Sequence, residues 1–191
     1  MTAHAPEAPS DHLLRTLAAV PVASQILDLG CGRGRHTEPL LRLGFPVHAC
    51  DPRPEAVEAT RARIADLIED DSAETVVQVT PLDALDDPDA TFDWVVADRA
   101  EAYVGDAADL ERLLVASRRL LKPGGWLYIT LPAVPEGAER ADAAGAFTID
   151  ALERRRRAAD LAEAGDPARV EDGPRPRLRA LYRRVDPQTP G

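Results

Sequence analysis

Three glycines at alternate positions, Gly30, Gly32 and Gly34, follow directly on the apolar run of residues 25–29. Glycine reaches backbone conformations that a Cβ forbids, so three together mark a sharp turn whose main chain is left bare. An apolar run of five residues before such a turn reads as a buried strand. Residues 37–43 then read as a short helix, with Pro39 near its start, where a missing N–H costs little. The spacing therefore predicts a strand, a glycine turn and a helix in succession.

The same alternation continues along the chain. Gly44 closes the first helix and residues 46–50 form a second short strand. Residues 54–68 carry Val57, Thr60, Ile64, Leu67 and Ile68 on one helical stripe. Residues 75–79 are rich in β-branched side chains and fit a third strand, and residues 92–97 a fourth. Residues 109–121 are helical, with a strong stop at Lys122-Pro123-Gly124-Gly125, and residues 126–131 form a fifth strand. Residues 149–164 read as a helix, residues 176–185 as one or two last strands, and residues 10–20 as a short amphipathic helix carrying Leu13, Leu14 and Leu17. Short strands alternating with helices predict a doubly wound α/β fold: a mostly parallel sheet of about seven strands with helices on both faces. A chain of 191 residues suits one domain, expected over residues 10–185, with frayed tails at residues 1–9 and 186–191.

Composition narrows the class. No apolar run approaches the ~20 residues that a membrane-crossing helix needs, and the first residues lack the pattern of a secretory signal. Two cysteines, Cys31 and Cys50, do not make a disulfide framework or a four-cysteine zinc site, and each reads as a small packing residue. A cytoplasmic setting is the expectation. The formal net charge is -10, and an acidic body disfavours general nucleic-acid binding. The run Arg154-Arg155-Arg156-Arg157 points its side chains all round a helix and reads as a solvated surface.

Ligands of such sheets bind beyond the carboxyl ends of the strands. Asp51 stands at the end of the second strand, a placement suited to gripping a ribose diol from beside the glycine turn. The dinucleotide pattern G-x-G-x-x-G is not met, because Arg35 follows Gly34, and an acid at Asp28 suits a cationic ligand better than a pyrophosphate. Taken singly, Asp28 reads equally as a turn residue and Asp51-Pro52 as a plain helix start. Asp83 sits among Asp86, Asp87 and Asp89 and by itself reads as solvated loop charge.

At this point the chain resembles the class I S-adenosylmethionine-dependent methyltransferases, and within them the small-molecule and tellurite-resistance-type branches. Asp28-Leu29-Gly30-Cys31-Gly32-Arg33-Gly34 is similar to their first motif, Asp51 to their ribose-binding acid, and Leu82-Asp83-Ala84 to their adenine-binding motif, with Leu82 in place of the usual glycine. Residues 92–96 and 121–126 resemble the family's fourth strand and its turn into the fifth. The resemblance implies S-adenosyl-L-methionine as cofactor and S-adenosyl-L-homocysteine as product. It places Asp28, Gly30 and Gly32 toward the methionine portion, Asp51 with Pro52 and Arg53 at the ribose, Asp83 and Ala84 at the adenine, and Asp98 where cofactor and acceptor meet.

Methyl transfer from a sulfonium is an in-line displacement with a neutral leaving group, so positioning is the main demand. A proton acceptor is needed only when the nucleophile starts protonated. His36, Asp98, Glu101 and Tyr103 are the candidates, and His36 reads equally as a surface residue at a helix start. The short polar stretch 132–147 favours a small-molecule acceptor. Two other functions stay open: a non-catalytic module that binds the same cofactor, and a nicotinamide oxidoreductase, which Asp28 and Arg35 disfavour.

Overall fold

The computed structural model describes residues 7–69, 72–134, 145–172 and 175–186. Chain order is α1 (Asp11–Leu17), β1 (Ile26–Leu29), α2 (Thr37–Arg42), β2 (Val47–Asp51), α3 (Pro54–Ile64), α4 (Ala73–Val76), β3 (Val77–Val79), β4 (Phe92–Ala97), α5 (Ala107–Leu120), β5 (Leu121–Pro132), α6 (Ile149–Ala158), β6 (Leu161–Glu163), β7 (Ala168–Glu171) and β8 (Pro176–Arg184). The strands make one sheet in the order β3-β2-β1-β4-β5-β8-β6, with β7 also paired to β8. Five strands from β3 to β5 run parallel, and β8 turns antiparallel at the far side.

Alternation along each strand divides the core into two layers. Leu27 and Leu29 join Val95, Leu127, Ile129 and Leu131 under α5 and α6, with Leu113, Leu114 and Leu152 facing them. Ile26, Trp94, Val96 and Tyr128 face the other way, against Leu13 and Leu17 of α1, Leu40 of α2, and Val57 and Ile64 of α3. Strand order reverses between β1 and β4, because β2 and β3 follow β1 on one side while β4 and β5 lie on the other. That is the switch point where open α/β sheets bind ligands.

Several expectations are corrected. The eight-stranded sheet agrees with the expected sheet of about seven, but two of its short strands are not where they are expected. β6 lies inside the stretch expected as helix, and β7 has no buried residue, so no apolar alternation announces it. The third helix stops at Ile64, four residues short of the predicted end, although Leu67 and Ile68 still touch the core. Residues 73–76 form a helical turn, leaving β3 only three residues. The Lys122–Gly125 stop lies inside β5: Phe92 pairs with Leu121 and Trp94 with Trp126, so the four residues loop out between them. Gly125 is required there, since a Cβ would meet the Lys122 carbonyl oxygen at 2.9 Å.

The last predicted helix ends at Ala158, where Asp160 at φ +55° turns the chain and Leu161 drops into the core as the start of β6. The arginine run is not wholly solvated. Arg156 is buried, donates to Glu153 Oε2 at 2.7 Å and to the Leu161 carbonyl, and lies over the Tyr182 ring. Its partner is at i,i+3, and Tyr182 Oη donates to the other oxygen of that same Glu153 at 2.9 Å. Residues 1–6, 187–191 and most of the stretch 132–147 lie outside the described residues.

Candidate functional site

The turn after β1 carries Gly30, Gly32 and Gly34 at φ +84°, +58° and +77°, the left-handed region that favours glycine. A Cβ on Gly32 would meet nothing nearer than the Gly30 carbonyl at 4.0 Å. At Gly32 the turn therefore presents bare main chain to open space, whereas Gly34 is packed against Thr60 and Arg63. A cavity of about 300 Å³ lies over it, bounded by Gly30, Gly32, Arg35, His36, Arg53 and Asp98. Beneath the loop, the Tyr103 ring packs against Gly30.

Asp51 ends β2 beside this turn and is fully buried. Its carboxylate accepts from the Gly32 N–H at 3.1 Å and the Arg53 N–H at 3.0 Å. The Arg53 side chain adds a two-pronged contact, Nε to Oδ1 at 2.9 Å and Nη2 to Oδ2 at 3.0 Å. Pro52 is half-buried between them.

Asp28 is not at the cavity. Strand alternation turns its side chain into the layer under α2, where Thr37 Oγ1 donates to Oδ2 at 2.6 Å. Burial pushes its carboxyl up to about 7, a shift that the Thr37 bond offsets only in part. Asp83 and Ala84 lie on a 3-10 turn after β3 and are exposed. Asp83 borders a different hollow, of about 540 Å³, with Leu82, Leu85, Arg112 and Val115. Of the residues placed on the cofactor, Gly30, Gly32 and Asp98 thus border one cavity, Asp51 lies just under its wall, and Asp28, Asp83 and Ala84 lie apart.

The candidate proton acceptors are all engaged. Asp98, at the end of β4, is buried and accepts from Thr130 Oγ1 at 2.8 Å and Arg35 Nη1 at 3.0 Å. His36 is buried, its Nε2 accepting from the Ser10 N–H at 3.1 Å and lying 3.8 Å from Asp98. Burial pulls its imidazolium down to about 4, so it is neutral near pH 7. Tyr103 Oη donates to the Thr80 carbonyl at 2.7 Å, and burial pushes its phenol well above the usual range. Glu101 pairs with Arg177.

Residues that the sequence reading did not assign to the site close its mouth. Arg99, at φ +55°, pairs with Glu7 and with Asp172 at 3.2 Å. Arg35 Nε donates to the Ala8 carbonyl at 2.6 Å. Residues 7 and 8, expected in a frayed tail, are thereby held across the cleft. A second cavity, of about 480 Å³, adjoins the first through Glu7, Arg35 and Arg99 and adds Tyr128, Thr130 and Arg179. Only the tertiary fold brings these groups together, and no local pattern announces them. Both cysteines are free and buried, and burial raises both thiols, Cys50 to about 12.

The family described as methyltransferase domain matches residues 26–125, from the start of β1 through the turn inside β5. The chain belongs to that family. Among relatives of the methyltransferase domain, ubiquinone biosynthesis O-methyltransferase of Methylocella silvestris is 38% identical over 104 residues, covering 54% of this chain and 38% of that enzyme. The chain thus spans well under half the length of that relative. A SAM-dependent methyltransferase of Methanosarcina mazei superposes with a TM-score of 0.73 at 18% identity, covering 93% of this chain and 99% of that one. A Burkholderia thailandensis 1,6-didemethyltoxoflavin-N1-methyltransferase, solved with its substrate and S-adenosylhomocysteine, gives a TM-score of 0.67 at 25% identity over 89% of this chain and 75% of its own. These likenesses agree with the α/β fold and the glycine turn described above.

Proposed function

We propose that this methyltransferase domain binds S-adenosylmethionine over the tips of β1 and β2 and transfers its methyl to a small-molecule acceptor. One observation carries the reading: bare glycine main chain, open to a cavity, stands beside a buried carboxylate at the end of the neighbouring strand. Such a pair fits a nucleoside, with the glycines admitting its close approach and Asp51 accepting from ribose hydroxyls. The bound cofactor would supply an electrophilic methyl on a sulfonium. Arg35, where the two cavities meet, and its partner Asp98 orient the acceptor side. The segment at residues 7–10 excludes water from it. Asp83 and Ala84, placed at the adenine by resemblance, lie outside the glycine cavity and do not carry this reading.

The candidate bases are held by their own chain: His36 Nε2 is taken by Ser10, Tyr103 donates to Thr80, and Asp98 is gripped by Thr130 and Arg35 with acceptor capacity left over. An acceptor that arrives deprotonated, such as a thiolate or phenolate, needs only positioning and desolvation, which together supply on the order of 7–11 kcal/mol in well-oriented reactions. The same engagement of the bases favours a second reading, a non-catalytic module that binds the cofactor for a partner. A cytoplasmic setting belongs to the first reading and is supported by two buried, unpaired cysteines. Among the described residues no helix is long and apolar enough to cross a membrane.

The test has two arms. S-adenosylmethionine and S-adenosylhomocysteine raise the melting temperature with the logarithm of ligand excess, while NAD leaves it unchanged. Labelled cofactor incubated with a panel of thiols, phenols, amines and oxyanions then separates the two readings, since tight binding with no transfer favours the module.

A further inference from the structure

The carboxylate assigned to the ribose is already full. An ionised carboxylate offers about four lone-pair sites, and Asp51 receives four donors from its own chain: the Gly32 N–H, the Arg53 N–H, Arg53 Nε and Arg53 Nη2. The two main-chain donors are fixed by the glycine turn and by the start of α3, where Arg53 is the N-cap. The two side-chain donors are replaceable. They come from one guanidinium that is 53% exposed and has open solvent into which to swing.

Two N–H donors from one planar fork, one on each oxygen, reproduce what the adjacent hydroxyls of a ribose offer to a carboxylate. Arg53 also borders the glycine cavity, whereas Asp51 does not reach it. We infer that Arg53 is a built-in competitor for the ribose diol, a residue that sets affinity by roofing Asp51 until a nucleoside carrying both hydroxyls displaces its guanidinium. The inference rests on the proposed cofactor site.

Three consequences follow from counting donors. Affinity in the natural chain is the difference between two occupants of one carboxylate, so removing the internal one tightens binding. A nucleoside with a single hydroxyl leaves an acceptor site unmet whether or not Arg53 was there before it, so displacing the guanidinium costs both ligands the same factor. The gain from removing Arg53 depends on the Asp51 charge and vanishes without it.

Calorimetric titration with S-adenosylhomocysteine and its 2′-deoxy analogue tests this on the natural chain, Arg53→Met, Asp51→Asn and the double variant. Methionine keeps the main-chain N–H and much of the stem, and an unchanged circular dichroism spectrum verifies the fold. Arg53→Met is expected to bind S-adenosylhomocysteine about two- to fivefold tighter, the scale of a half-exposed ion pair. Its affinity for the deoxy analogue should rise by the same factor, and in the Asp51→Asn background the substitution should change nothing. Equal or weaker binding by Arg53→Met, with the natural chain binding normally, overturns the competitor while leaving the cofactor site standing. Absence of binding by both the natural chain and Arg53→Met overturns the cofactor site and the competitor with it.

Discussion

Arg35 and Asp98, 63 residues apart in the chain, meet at 3.0 Å where the glycine turn after β1 faces the end of β4. The carboxylate is 2% exposed and the guanidinium 14%, so each depends on the other for much of its solvation. Thr130 supplies the carboxylate's second donor at 2.8 Å, and Ala8 ties the guanidinium to the segment before α1. Arg35 of this pair lines both adjoining cavities, and Asp98 the one over the glycine turn.

Removing one partner leaves a buried charge unmet. Arg35→Met should cost about 1–3 kcal/mol of folding stability. Adding Asp98→Asn should recover part of that loss, because the remaining group no longer carries an uncompensated charge. Urea denaturation of the two single variants and the double variant measures the coupling, and strictly additive losses would deny it.

Asp28 depends in the same way on one hydroxyl. Thr37→Val removes the 2.6 Å donor while keeping the shape of the side chain. A loss of about 1–3 kcal/mol is expected, the usual scale for a buried acceptor left without its partner. Denaturant midpoints check it, and a neutral substitution would show that water reaches Asp28.

Asp28 and His36 push stability in opposite directions with pH. The Asp28 carboxyl is raised to about 7 from an ordinary 3.8. Between those values the folded chain holds a proton that the unfolded chain has released, so stability falls as pH rises. His36 is lowered to about 4 from 6.5. Between those values the unfolded chain holds the proton, so stability rises with pH. Each slope is at most about 1.4 kcal/mol per pH unit, and from pH 4.5 to 6.5 they oppose. Asp28→Asn should therefore make stability climb with pH across that window, and His36→Gln should make it decline. Identical slopes in both variants would reject the assignment.

Asp51→Ala removes the acceptor proposed for the ribose. S-adenosylhomocysteine affinity should fall about 5- to 150-fold, corresponding to about 1–3 kcal/mol for hydroxyl donors left without a partner. Isothermal titration on folded protein reads this directly, and unchanged affinity would remove Asp51 from the site.

The positions of the glycine turn, of Asp51 at a strand end and of the five parallel strands are legible in the chain. They rest on local rules: which residues tolerate φ near +60°, where apolar runs stop, and how far a short helix carries the chain before the next strand. The direction of the Asp28 side chain, the burial of Arg156 on Tyr182, the edge strand β7, and the gathering of Arg35, His36, Asp98, Arg99 and Glu7 around one cleft depend on strand register and on contacts between distant segments. A charge finds its partner through space, and its neighbours in the sequence carry no record of which strand end will arrive opposite it. The chain's own order thus determined the glycine turn, and the assembled sheet decided which side chains surround that turn and which of them are already engaged.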